Sequence, residues 1–256
     1  MPTTLLCLHG WGGSKESFTE LREALKDSDI TILTPDLPGF GSEPEPSRPW
    51  TTDDYAEWVA EWLRSNRPPL PNPLPTGEGK TRLFLLGHSH GGRIVIKLAQ
   101  SKSFSILNSQ FSIEHLFLCA SAGIRHPRHF KRILGLTLAK TGKTLLQIPG
   151  LKSLEPLGKK FLYRLVRVHD YEKASPVMRQ TLINVTKEDL RPLLSGITVP
   201  TDIFWGEEDG MTPVADAHLM HKEITGSTLH LYPGVRHRVH RERAREIAEV
   251  IEECCL

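Results

Sequence analysis

The chain has 256 residues, a formal net charge of +2 and 39% hydrophobic residues. That length fits one large domain, or one domain with an insertion, and the composition, with its 20 glycines, argues against a disordered chain. No run of roughly 18 apolar residues is present and nothing in Met1–Gly10 resembles a signal peptide, so membrane-spanning and Sec-exported proteins are both poor readings.

In chain order, short apolar runs that end in glycine or a turn predict strands at Leu5–Leu8, Ile30–Leu33, Leu83–Leu86, Leu116–Cys119, Ile203–Trp205 and Thr228–Leu231. Amphipathic stretches between and after them predict helices at Tyr55–Leu63, Arg93–Ala99, Pro213–His221 and Arg241–Glu253. In the first of these, Tyr55, Trp58, Val59 and Trp62 share a stripe. Strands separated by helices imply an α/β fold with a mostly parallel, doubly wound sheet of about six strands.

Two segments break this rhythm. Residues 67–80 read RPPLPNPLPTGEGK, with five prolines between Pro68 and Pro75. Such a run forms neither helix nor central strand, and it is expected to be a surface loop. Residues 124–194 hold candidate helices at Phe130–Lys140, Lys159–Val168 and Ser175–Thr186 and no clear strand. They are expected to form a small helical cap over the carboxyl edge of the sheet, where open α/β sheets bind ligands. The core would then comprise residues 1–123 and 195–256. From Ile124 to Lys173 there are twelve Lys/Arg and three Asp/Glu, a net of +9, so the rest of the chain carries −7. Such a block reads as a solvated helical insertion, or as a surface that attracts an anionic substrate, membrane or partner. It lacks the aromatic interleaving of a nucleic-acid site. The four cysteines, at 7, 119, 254 and 255, show neither metal-ligand nor disulfide-framework spacing. That usage fits a reducing, cytoplasmic compartment.

The strand at Leu83–Leu86 runs into Gly87-His88-Ser89-His90-Gly91-Gly92 and then a helix. This is G-x-S-x-G in a strand–turn–helix context, a sharp turn that lifts one hydroxyl above the sheet edge. Ser89 is the candidate nucleophile, and the His90 amide, at the helix start, points toward the same space. A serine needs a general base. Of 12 histidines, His237 follows the last strand within Tyr232-Pro233-Gly234-Val235-Arg236-His237 and is favoured over His240. The acid that orients it is expected to be Asp209, after the strand ending Trp205-Gly206, with Glu207 and Glu208 as chemical rivals. A developing oxyanion needs two amide donors. The His90 amide is one candidate, and the Trp11 amide, in the glycine-rich loop His9-Gly10-Trp11-Gly12-Gly13, is the other. The Trp11 side chain reads equally as hydrophobic cover or as acyl-pocket lining, and His9 is expected to brace its loop by hydrogen bonds.

The segments His9-Gly10, Asp36-Leu37-Pro38-Gly39-Phe40-Gly41, Gly87–Gly92, Trp205-Gly206 with Asp209, and Gly234 with His237 together resemble the α/β-hydrolase superfamily, over nearly the whole chain. Within it the motifs look like a subgroup of small bacterial, esterase-like serine hydrolases. The resemblance implies Ser89 as nucleophile, Asp209 as acid, His237 as base, and the Trp11 and His90 amides as oxyanion hole. Many relatives carry two antiparallel strands before the HG loop, which here follows the strand at Leu5 directly. Arg236 stands where relatives often have glycine, and it is a candidate contact for an anionic substrate group. The expected reaction is hydrolysis of a small carboxylic ester through an acyl-enzyme, with no metal, no cofactor and no nucleic-acid partner. Amide, thioester and carbon–carbon bond hydrolysis use the same triad, and a non-catalytic binding protein on this fold is the rival class. Serine at the elbow argues against dehalogenase and epoxide hydrolase chemistry, which use an aspartate nucleophile, despite Tyr163 and Tyr171 in the expected cap.

Overall fold

The computed structural model describes residues 3–66, 80–100, 111–126 and 174–255. The proline-rich residues 67–79 and most of the basic block, residues 127–173, lie outside them, as do the candidate cap helices Phe130–Lys140 and Lys159–Val168. The described chain runs β1 (Thr3–Leu8), a 3-10 turn (Lys15–Phe18), α1 (Thr19–Ala24), β2 (Ile30–Leu33), α2 (Thr52–Ser65), β3 (Thr81–His88), α3 (His90–Gln100) and β4 (Phe111–Cys119). It continues with α4 (Pro176–Lys187), α5 (Arg191–Leu194), β5 (Thr201–Gly206), α6 (Val214–Glu223), β6 (Thr228–Tyr232), α7 (Val239–Glu242) and α8 (Ala244–Cys255). All six predicted strands are present, and α4 covers the predicted helix Ser175–Thr186. The predicted helix at Arg241–Glu253 is divided into α7 and α8 at Arg243.

The strands form one sheet of order β2-β1-β3-β4-β5-β6, parallel throughout. Its interior strands are apolar on both sides, Leu5–Leu8 and Leu83–Leu86 being fully buried, as a sheet covered on both faces requires. The connection from β1 to β2 runs one way across the sheet, and every later connection runs the other way. Right-handed crossovers therefore put α1 on one face and α2, α3, α5 and α6 on the opposite one. The packing agrees: α1 lies against α8, and α2 and α5 lie against α3. The reversal occurs between β1 and β3, which leaves a crevice at their carboxyl ends.

Local signals explain the helix starts. Thr51 and Asp54 form a reciprocal cap on α2, with N–H donation to the partner's side chain at 2.7 and 3.3 Å. The buried face of α2 is Tyr55, Ala56, Val59, Ala60 and Leu63, while Trp58 and Trp62 lie half-buried beside it and stack on each other. The buried stripe is thus one-third of a turn away from the two tryptophans, and α2 packs against α3. In α8, Ala244, Ile247, Ala248 and Ile251 recur at helical spacing and are buried. Each isoleucine contributes about 1.5–3 kcal/mol through its burial. No helix among the described residues is long and apolar enough to cross a membrane.

Candidate active site

Ser89 sits between β3 and α3 with φ 53°, in the left-handed region that side chains rarely occupy. The turn is held by Ser89 N–H donating to Cys119 O at 3.1 Å, and by Gly92 N–H and Ala122 N–H donating to Ser89 O at 3.1 and 2.9 Å. Ala120, at the end of β4, is the other non-glycine at positive φ (44°), and its N–H donates to Phe204 O at 2.9 Å. Two neighbouring chain reversals thus support each other above the sheet edge. Gly91 is required by contact rather than conformation: a Cβ there would stand 2.5 Å from the Leu8 carbonyl carbon and closer still to its oxygen. Both atoms belong to the backbone of a central strand, which cannot yield. Gly91→Ala is therefore expected to cost about 3 kcal/mol or more. A urea unfolding midpoint within experimental error of the parent protein would contradict this.

His237 follows β6, and Asp209 follows β5. His237 Nδ1 lies 2.7 Å from Asp209 Oδ2, so the ring donates to the carboxylate. Asp209 Oδ1 accepts from Met211 N–H at 2.7 Å and Thr212 N–H at 3.0 Å, and the Thr212 hydroxyl donates to Oδ2 at 2.6 Å. Burial alone would raise the Asp209 carboxyl, but hydrogen bonds from His237 and Thr212 hold it below the usual carboxylate range. Glu207 and Glu208, the rivals by chemistry, are both exposed, whereas the Asp209 side chain has no exposed surface. Sequence reasoning did not single out Thr212. Its signal was the Asp-x-x-Thr spacing of a turn in which a carboxylate accepts from the backbone ahead of it. Among the described residues no hydrogen bond joins the Ser89 hydroxyl to His237. The His237 ring lies beside that of His88, the residue before Ser89, with centroids 4.8 Å apart.

The loop after β1 closes the other side of the crevice. His9 Nε2 accepts from Leu37 N–H at 2.9 Å while Nδ1 lies 2.8 Å from Gly10 O, which fixes the proton on Nδ1. Burial lowers the His9 pKa and keeps the ring neutral. Asp36 accepts from Lys15 N–H at 2.6 Å and from the Ser42 N–H and hydroxyl at 2.9 and 2.8 Å, tying the Pro38–Ser42 turn to the 3-10 turn. Among the described residues neither Trp11 N–H nor His90 N–H has a backbone acceptor, as the first residue of a helix requires for His90. The Trp11 ring packs edge-on against Phe40 (4.9 Å) and His90 (5.5 Å). The His90 ring is also flanked by Tyr55 at 4.9 Å, and burial pushes its pKa down to about 3. This neutral ring forms part of an aromatic wall.

His88 and His240 extend the site beneath His237. His88 Nε2 lies 3.0 Å from His237 O and donates to it, and the His88 ring lies tilted against that of His240, with centroids 3.8 Å apart. Burial and the neighbouring His240 and His237 push the His88 pKa well down, and burial brings His240 to about 3. Both are neutral props rather than competing bases. His240 lies in α7. Arg236, expected near an anionic substrate group, is not brought to the His237–Asp209 pair. Its side chain is 80% exposed, with Nε 3.9 Å from Glu208.

The family model described as "Alpha/beta hydrolase family" matches residues 5–250. The uncharacterized hydrolase YugF of Bacillus subtilis is 27% identical, across 98% of this chain and 89% of its own length. Lipase 1 of Psychrobacter immobilis is 24% identical across 91% of this chain and 70% of its own length. Among solved structures, the esterase of Exiguobacterium antarcticum superposes with a TM-score of 0.68 at 22% identity, covering 98% of this chain and 91% of that one.

Proposed function

The chain belongs to the alpha/beta hydrolase family, and from that premise we propose that it is a serine hydrolase that cleaves a small carboxylic ester through Ser89, His237 and Asp209. The observation that carries the proposal is the 2.7 Å bond between His237 and a buried Asp209, on loops at the same sheet edge as Ser89. His237 takes the Ser89 proton as Oγ attacks the carbonyl carbon. Asp209, fixed in place by Met211, Thr212 and His237, holds the imidazole with Nδ1–H inward and Nε2 free to accept. The amides of Trp11 and His90, with no backbone acceptor of their own among the described residues, meet the oxyanion. The alcohol leaves with the proton from His237. Water, activated by the same base, then cleaves the acyl-enzyme and regenerates Ser89. Residues 124–194 would act as a cap over this edge, and Trp11 with His90 would line the acyl side. The esterase- and lipase-named relatives support the ester as substrate class.

The test is a fluorophosphonate probe on the purified protein, followed by a panel of neutral and carboxylate-bearing p-nitrophenyl esters. Covalent labelling that disappears in Ser89→Ala, with turnover of at least one ester, is the expected result. Folded protein that takes up no probe at Ser89 would refute it.

A further inference from the structure

At the opposite end of the sheet from Ser89, three side chains from distant parts of the chain converge on the face covered by α8. His115 in β4, Asp202 in β5 and Cys254 in α8 offer ligand atoms that all lie within 4.8 Å of one another. His115 Nε2 is 2.7 Å from Asp202 Oδ2 and 3.8 Å from Cys254 Sγ. The second carboxylate oxygen of Asp202, Oδ1, is held by His230 Nε2 at 2.5 Å from the neighbouring strand β6. The register explains the convergence. Phe117 pairs with Asp202 and Phe204 with His230, so His115, Asp202 and His230 project from the same face. The rings of His115 and His230 are held by stacking on Phe117 (4.7 Å) and Phe204 (4.6 Å). Arg82 donates to Cys255 O at 2.8 Å and anchors the end of α8 that carries Cys254.

We propose that His115, Asp202 and Cys254 form a binding site for a borderline-soft divalent cation of the zinc class, with His230 orienting the carboxylate from outside. The donor set is one imidazole, one carboxylate and one thiolate. The thiolate selects against magnesium and calcium, which take oxygen ligands. Around zinc, bond lengths near 2.0–2.3 Å place tetrahedral ligand atoms about 3.3–3.7 Å apart, so the observed 2.7 and 3.8 Å separations need only small side-chain adjustments. A bond from the outer His230 to the metal-binding carboxylate is the support such ligands ordinarily have. Asp202 is buried, and His115 and Cys254 are partly buried. Cation uptake displaces the Cys254 thiol proton. The site lies apart from the proposed triad and does not depend on it.

Cobalt(II) titrated into the metal-free full chain is the direct test, since cobalt bound to thiolate absorbs in the near ultraviolet. One equivalent is expected to produce that band, zinc to abolish it by displacement, and Cys254→Ser to lack it while Cys255→Ser keeps it. Asp202→Asn and His230→Gln are each expected to weaken binding tenfold or more. Thermal unfolding of each variant establishes that it is folded, and zinc is expected to raise the Tm of the parent but not of Cys254→Ser. Absence of the band in folded protein, or its persistence in Cys254→Ser, would overturn the site and leave the cluster as a hydrogen-bonded bracket between strands. None of these readouts involves ester hydrolysis.

Discussion

Ser89→Ala is expected to lower kcat for ester hydrolysis by about five to six powers of ten, with the free energy of unfolding in urea unchanged within about 0.5 kcal/mol. Two features make the substitution clean. The backbone at position 89 has φ 53°, and alanine carries the same Cβ there as serine, so the strain at the turn is carried over intact. The bonds that shape the turn, from Ser89 N–H to Cys119 and from Gly92 and Ala122 to Ser89 O, are all main-chain bonds that the variant retains. What is removed is the hydroxyl alone. Steady-state rates on the best ester, with active-site titration to exclude trace parent enzyme, measure the effect. A residual kcat within about a hundredfold of the parent would mean that Ser89 is not the nucleophile, since general-base assistance by another group contributes no more than about 10²–10⁴.

The second large effect is expected at Asp209. Asp209→Asn should reduce kcat by about 10⁴-fold, whereas Glu208→Gln, at an exposed residue one position earlier, should leave it near the parent value. The reason lies in which atoms face which. Oδ1 accepts two main-chain N–H groups, at 2.7 and 3.0 Å, and an asparagine oxygen takes over that position. The amide nitrogen is then left facing His237 Nδ1 and the Thr212 hydroxyl, where the carboxylate accepted at 2.7 and 2.6 Å. A donor in that place makes Nδ1 an acceptor and moves the imidazole proton to Nε2, the atom that must receive the serine proton. The loss should appear in kcat more than in KM. Equal losses in Asp209→Asn and Glu208→Gln would point to a general loosening of the loop instead.

Much of this arrangement was legible before any coordinates. The six strands are short apolar runs whose ends are marked by glycine or turn residues, and a covered parallel sheet leaves that imprint directly. The elbow was legible because its glycines are dictated by backbone contact, as at Gly91 against Leu8. The pairing of His237 with Asp209 could be argued from strand order alone, each residue following a strand at the same edge. Other features are invisible along the chain because only folding brings them together. Thr212 reaches Asp209 through a local turn, but its importance shows only when His237 arrives from 25 residues away. His88 reads as a variable position inside the motif until its imidazole is found bonded to His237 O. The cluster of His115, Asp202 and Cys254 has no spacing signature, since its members are 87 and 139 positions apart along the paired contacts. The short 3-10 turn and α1 were not singled out, although Phe18, Leu21 and Leu25 recur at helical spacing and are buried, and Ser14 and Ser17 form a reciprocal cap; the period is only two turns long.

The bond from His88 to the main chain of His237 also bears on durability. His237, the proposed base, is carried by the loop after β6, which is the edge strand of the sheet, with no residue fully buried. Edge strands are where local opening begins, at free energies well below that of global unfolding. β3, which carries His88, lies three places inward and is buried along nearly its whole length. Because the His237 loop is fastened to β3 across two intervening strands, the His88 bond opposes release of the proposed base when the sheet margin frays. Its amides should exchange with solvent on the slow timescale of the sheet centre, not the fast one of its border. Heat inactivation would then follow loss of the whole fold, with no earlier, partly opened form that is folded but inert.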